Sequence, residues 1–144
     1  MSEALFEQEI ELNVPMIQDI ETVVMNTARS VAKFSDFDDD QIDEMNQALI
    51  EACINAIEHS KSEDRKLYIK FIVNKNEITV IFRDNGKGFE IANVNENPDI
   101  KEKLKSDYKR GWGIKLIKTL MDKVEIESGN TGTILKMTKV KQEL

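Results

Sequence analysis

The chain has 144 residues and a formal net charge of −7, long enough for one domain with its own hydrophobic core. A single cysteine, Cys53, excludes an internal disulfide. The negative charge argues against nucleic-acid phosphate as the main partner, and no apolar run approaches the roughly 18 residues of a membrane span.

The first twelve residues, MSEALFEQEIEL, are acidic and polar rather than a secretory leader, so a reducing, cytoplasmic setting is expected. Residues 6–14 alternate, with Phe6, Ile10, Leu12 and Val14 set against Glu7, Glu9, Glu11 and Asn13, which predicts a half-exposed edge strand. Pro15 suits the first turn of a helix. Ile17, Ile20, Val24, Val31 and Phe34 then recur at helical spacing to about Lys33. The acidic residues 36–40 form a connection and a charge cluster for the N-terminus of the next helix.

Residues 41–60, QIDEMNQALIEACINAIEHS, predict the longest helix, without Gly or Pro. Ile42, Met45, Leu49, Cys53 and Ala56 fall on one side, and Ile50, Ile54 and Ile57 make a second apolar strip. Between them run Glu44, Gln47, Glu51, Asn55 and Glu58, with Glu51 and Asn55 one turn apart. On periodicity alone this stripe reads as a solvated face. Its position between two apolar strips also allows the floor of a cleft.

Residues 66–73 and 77–83 predict two strands joined by Asn74-Lys75-Asn76, a hairpin loop. The second runs into Asp84-Asn85-Gly86-Lys87-Gly88-Phe89. Residues 90–109 are polar, mixed in charge and little periodic, and a loop of that length in a compact domain suggests a lid. Arg110-Gly111-Trp112-Gly113 follows, then IKLIKTLMDKV with helical spacing. Residues 124–127 and 133–140 predict two last strands around a Gly129-Asn130-Thr131-Gly132 turn. The order β-α-α-β-β-lid-α-β-β predicts an α+β two-layer sandwich, a mixed, mostly antiparallel sheet with helices on one face.

Three separated pieces then need one explanation: Glu51 with Asn55 on the long helix, Asp84-x-Gly86-x-Gly88 after a strand, and Gly111-x-Gly113 before a helix. Singly, Asp-Asn-Gly is a common turn, and a lone Gly-x-Gly is a weak sign of phosphate binding at a helix N-terminus. In this order they resemble the N, G1 and G2 boxes of the GHKL (Bergerat-fold) ATPases, a resemblance that runs from Pro15 to Lys139. EACINAIEH, DNGKGF and GWGIKLIKTLMDKVEI, closing with Gly132-Thr133, look most like the bacterial anti-sigma-factor serine/threonine kinases of partner-switching systems, the RsbW type.

The resemblance implies roles residue by residue. Asn55 would coordinate Mg²⁺, and Glu51 would be the general base and catalytic residue. Asp84 would accept a hydrogen bond from the adenine amino group of ATP, with Gly86 and Gly88 letting backbone approach the base. Gly111 and Gly113 would hold phosphate oxygens, Thr133 would complete the adenine pocket, and Lys109 and Arg110 at the lid's end would reach the terminal phosphate. His59 receives no role, and Cys53 and Trp112 are expected to pack. The implied partners are an anti-sigma-factor antagonist of the STAS type, whose Ser or Thr is phosphorylated, and a sigma factor. The implied assembly is a homodimer through the N-terminal strand. Two other readings stay open: a non-catalytic, nucleotide-gated binding module, and an orphan histidine-kinase-like ATPase domain.

Overall fold

The computed structural model describes residues 7–86 and 113–142. Among these, strands β1 (Gln8–Pro15), β2 (Lys66–Val73), β3 (Glu77–Asp84), β4 (Lys123–Gly129) and β5 (Gly132–Val140) form one sheet in the order β1-β2-β3-β5-β4. All four neighbouring pairs are antiparallel. Helices α1 (Glu21–Lys33) and α2 (Asp39–His59) connect β1 to β2. Residues 113–120 are helical, here α3, ahead of β4. This is the α+β architecture that the sequence predicts.

Period-two alternation decides which face of the sheet is covered. In β2, Leu67, Ile69, Phe71 and Val73 are buried, while Tyr68, Lys70 and Ile72 between them are half-exposed. In β3, Ile78, Val80 and Phe82 continue the buried face. Val24 and Val31 of α1, Ile42, Met45 and Leu49 of α2, and Ile117 of α3 close over it in one core. Burying such a side chain is worth about 1.5–3 kcal/mol, so this face dominates the stability. β1 pairs only with β2 and turns Glu9 and Glu11 to solvent, the charged edge expected of it.

Local chemistry sets the element ends. Asp38 caps α2 by accepting from the Gln41 amide at 2.7 Å, with Asp39 and Asp40 in the first turn. At the other end, the Arg65 guanidinium donates to the carbonyls of Ile57 and Ser60. These are carbonyls that a helix end leaves over. In the β2–β3 hairpin, the Asn74 side-chain oxygen accepts from the amides of Asn76 and Glu77 at 2.8 and 2.9 Å.

Several expectations are corrected. Pro15 ends β1 opposite Lys66 instead of opening a helix; on an edge strand its missing N–H costs little. The chain then turns, with Asp19 at φ 69°, and α1 begins only at Glu21. Ile17 and Phe34 are 56% and 69% exposed, so neither belongs to the core stripe. The second strip of α2, Ile50, Ile54 and Ile57, is half-buried, whereas Gln41 and Asn46, polar in sequence, are buried. The Gln41 side-chain Nε2 donates to the Val140 carbonyl at 2.9 Å. Phe6, Trp112 and the expected lid, residues 90–110, lie outside the described residues. Among the described residues no helix is long and apolar enough to cross a membrane.

Cys53 is a core residue, as expected, with 0% exposure. Burial, with a smaller contribution from Glu21, pushes its thiol up from 9.0 to about 12. Between those values the unfolded chain has released the proton and the folded chain keeps it, so stability falls as pH rises through that window. The loss is up to about 1.4 kcal/mol per pH unit from this group. At neutral pH a thiol reagent should label Cys53 only as fast as the protein unfolds. Cys53→Ser should flatten the alkaline side of the stability profile in urea titrations.

Candidate functional site

β3 ends in Asp84, whose side chain shares the inner face with Val80 and Phe82 and is 8% exposed. A buried carboxylate needs hydrogen bonds. Asp84 Oδ1 accepts two, from the Gly86 amide at 3.0 Å and the Thr133 amide at 3.3 Å. The first closes the turn after β3. The second crosses to β5, where Thr133 is the register partner of Asp84. The Thr133 hydroxyl lies 3.2 Å from Ser128 Oγ on β4, so Thr133 serves Asp84 through its backbone.

Two glycines permit this packing. Gly132 has φ +140°, and a Cβ there would overlap the Asp84 carbonyl oxygen. A Cβ on Gly86 would stand 2.5 Å from the Ser62 amide nitrogen. The neighbour that demands glycine at 86 is therefore the backbone that follows α2. Outside the sheet, Asn85 is braced by the Arg83 guanidinium at 2.8 Å and by Asp64 Oδ2 at 3.1 Å. The Tyr68 hydroxyl donates to the same Asp64 oxygen at 2.8 Å and holds that carboxyl below its usual range. Arg83 also lies over the Tyr68 ring, 4.5 Å from its centroid.

α2 supplies the facing wall. Asn55 is half-buried, with Ala52 and Ala56 beside it in the lining. Its carboxamide makes no hydrogen bond to another described residue. A Cβ on Gly113 would lie 2.6 Å from Asn55 Nδ2 and 3.2 Å from Oδ1, so the first described residue of α3 rests on that amide. Asn55, Ala52 and Ala56 line one side of a pocket with about 450 Å³ of empty space, open solvent at its mouth included. Leu67, Phe82, Ile114, Ile126 and Leu135 give it apolar walls, and Asp84, Asn55 and Thr133 are its polar points.

The fold thus brings Asn55, Asp84, Thr133 and Gly113 together. Gly86 stands just behind Asp84. Glu51, one turn before Asn55, is half-buried but outside the residues that line the pocket. Gly88, Lys109, Arg110 and Gly111 lie outside the described residues. The sequence reading missed Gly132 as a strained position, having read Gly132-Thr133 for its threonine. It also missed the apolar lining; the inward alternation of Leu67 and Phe82 was the available signal, whereas Ile126 and Leu135 depend on the β4–β5 register.

The donor set fits a purine nucleotide. An apolar slot ends in a carboxylate that can accept from an exocyclic amino group, and an oxygen-bearing amide stands opposite. Among the described residues no three His, Cys, Asp or Glu side chains gather to hold a metal. A divalent cation held by Asn55 would take phosphate oxygens as further ligands, the way Mg²⁺ is usually bound.

A family model described as the histidine kinase-like ATPase domain matches residues 17–139. The chain is 32% identical over 136 residues to a serine-protein kinase RsbW of Halalkalibacterium halodurans, covering 92% of this chain and 83% of that protein. It is 31% identical over the same length to a serine-protein kinase RsbW of Bacillus thuringiensis and to one of Bacillus anthracis, covering 84% of each. Among solved structures, the RsbU and RsbW domains of Rv1364c from Mycobacterium tuberculosis share the fold. There the TM-score is 0.68 at 16% identity, over 94% of this chain and 32% of that one.

Gly132→Ala should lower stability by about 1–3 kcal/mol, because it combines a left-handed backbone with an overlap on Asp84. Gly129→Ala, where a Cβ meets nothing within 4 Å, is the control and should stay within about 0.5 kcal/mol of the parent. Urea unfolding of both variants checks this.

Proposed function

Because this chain belongs to the histidine kinase-like ATPase domain family, alongside the RsbW serine-protein kinases, we propose that it is an ATP-dependent serine/threonine kinase. Its substrate would be a Ser or Thr of an anti-sigma-factor antagonist of the STAS type. In the absence of that partner it would hold a sigma factor. The observation that carries this reading is the meeting of Asn55, Asp84 and Thr133, three residues far apart in sequence, around one pocket, with Gly113 packed on the Asn55 amide.

Asp84 would choose the base. Its Oδ1 is committed to two backbone amides, which leaves Oδ2 to accept from the amino group of adenine; guanine would present a carbonyl oxygen there and be repelled. Thr133 and Gly86 hold the carboxylate in place for this. Asn55 would offer its amide oxygen to Mg²⁺, and Gly113, with Gly111, would seat phosphate oxygens. Gly88 would lie along the base, and Lys109 and Arg110 would stand near the terminal phosphate. Bound Mg-ATP supplies the transferable phosphoryl group and the charge that draws electrons from it. Glu51 would take the proton of the attacking hydroxyl, so that its oxygen can bond phosphorus as ADP departs.

That Glu51 stands outside the pocket lining favours one second reading. In it the chain binds nucleotide through Asp84 and Asn55, changes partners with nucleotide state, and transfers nothing.

Wild-type protein should bind Mg-ADP and Mg-ATP and discriminate against GTP. Asp84→Asn should weaken adenine nucleotides by about 1.5–3 kcal/mol, the worth of a charged hydrogen bond. Equal calorimetric affinity for ATP and GTP would remove the adenine assignment.

Glu51→Gln should keep nucleotide affinity while losing antagonist phosphorylation by about 10²–10⁴-fold, the usual contribution of a general base. Radiolabelled ATP with the antagonist co-purified from the native cell is the assay. A wild type that binds its antagonist and never labels it leaves the binding module. A Glu51→Gln variant that labels at the parent rate moves the base elsewhere.

A further inference from the structure

Lys139 lies inside the protein. Its side chain on β5 is 8% exposed, an unusual position for a lysine unless it is paired. Its ammonium donates to the Glu44 carboxylate of α2 at 2.6 Å and to the Leu120 carbonyl oxygen at 2.7 Å. Leu120 is the last helical residue of α3, where carbonyls lack helical partners and a cation is favoured. One side chain thus fastens the end of α3 to α2.

The opposite end of α3 touches α2 as well, through Gly113 on the Asn55 amide. Glu44 and Asn55 are about three turns apart, which puts them on one face of α2. The short α3 is therefore pinned to the long α2 at two points, antiparallel to it, with the fully buried Ile117 between. Two turns of helix contain no hinge, so a change of seating at Leu120 is passed to Gly113 and onto Asn55. Asp122 anchors the chain beyond α3 independently: its amide donates to the Thr138 carbonyl at 2.9 Å, and its carboxylate accepts from the Val140 amide at 2.7 Å. Lys139 is thus dispensable for bringing α3 to the sheet. What it alone adds is the tie to Glu44.

We propose that Lys139 is a positioning residue for the nucleotide site, setting the seat of α3 along α2 and thereby the contact of Gly113 with the Asn55 amide. The inference rests on the nucleotide reading given above. Glu44 completes the device from the solvent side, being 53% exposed.

The test is Lys139→Met, which keeps most of the apolar stem and removes the ammonium. In ¹⁵N-labelled protein without nucleotide, the Asn55 side-chain NH₂ signals should move, while the Val140 amide, held by the Asp122 carboxylate, keeps its hydrogen-exchange protection. Mg-ADP affinity, measured well below the melting temperature, should drop about tenfold, the size of a coupling passed on through a shared backbone shift. In an Asn55→Ala background the same substitution should cost less than about twofold.

A variant that only melts earlier, with Asn55 signals and affinity unchanged, overturns the proposal and leaves Lys139 a stabilising residue. Moved signals with unchanged affinity overturn it too. A wild type that binds no nucleotide defeats the functional reading, and the Asn55 signals then decide the seating alone. If Lys139→Met does not fold, Glu44→Gln takes its place with the same readouts in the same direction.

Discussion

The arrangement depends on a carboxylate that the sheet buries at its own end. Asp84 is the last residue of β3 on the covered face, where an unpaired charge would be costly. Its compensation comes from two amides, one in the turn that leaves β3 and one across on β5. Both require backbone to approach closely. Gly132 and Gly86 are the residues that allow it, the first against the Asp84 carbonyl and the second against the loop after α2. The demand for hydrogen bonds at one side chain thus fixes the relative positions of β3, β5 and the end of α2. A pocket lined by that carboxylate is the consequence.

The two-layer architecture accounts for the rest of the site. α2 lies over the sheet with Met45, Leu49 and Cys53 in the core, and its next polar position toward the pocket is Asn55. Ala52 and Ala56 beside it are small, which leaves space between helix and sheet where larger side chains would have closed the core. α3 closes that space from one side, and it can lie so near to Asn55 only because residue 113 lacks a side chain. Selectivity for a base would come from the sheet, and metal and phosphate chemistry from the helices. A polar group on each layer faces the same cavity, which is how a small domain can bind a ligand with an apolar base and a charged tail.

Much of this was legible in the chain because the signals are local. The alternation of Leu67, Ile69, Phe71 and Val73, the Asn74 turn and the Asn130-Thr131 turn each fall within a few residues, and the strands lie where they predict. The stripe on α2 likewise separated Asn55 from the core residues. Where the reading failed, the deciding partner was distant. Pro15 suits a helix start as well as the end of an edge strand, and only pairing with Lys66 decides. Gln41 and Lys139 are polar in sequence and buried in the fold because their acceptors, the Val140 and Leu120 carbonyls and the Glu44 carboxylate, come from other elements. The site followed the same division. Asp84, Asn55, Thr133 and Gly113 were marked by residue type and order, whereas the strain at Gly132 and the close packing at Gly86 belong to contacts between segments.

The central claim is that the Asp84–Asn55 pocket is where an adenine nucleotide binds. The most direct measurement is an NMR titration of the ¹⁵N-labelled protein with Mg-ADP, which reports position without requiring turnover. The account predicts that the largest shifts fall on the backbone amides of Gly86, Thr133 and Gly113 and on the Asn55 side-chain amide, with the β1 edge unmoved. Saturable shifts centred elsewhere, for example on the outer face of the sheet around Lys70 and Ile81, or no shifts at millimolar ligand, would contradict it.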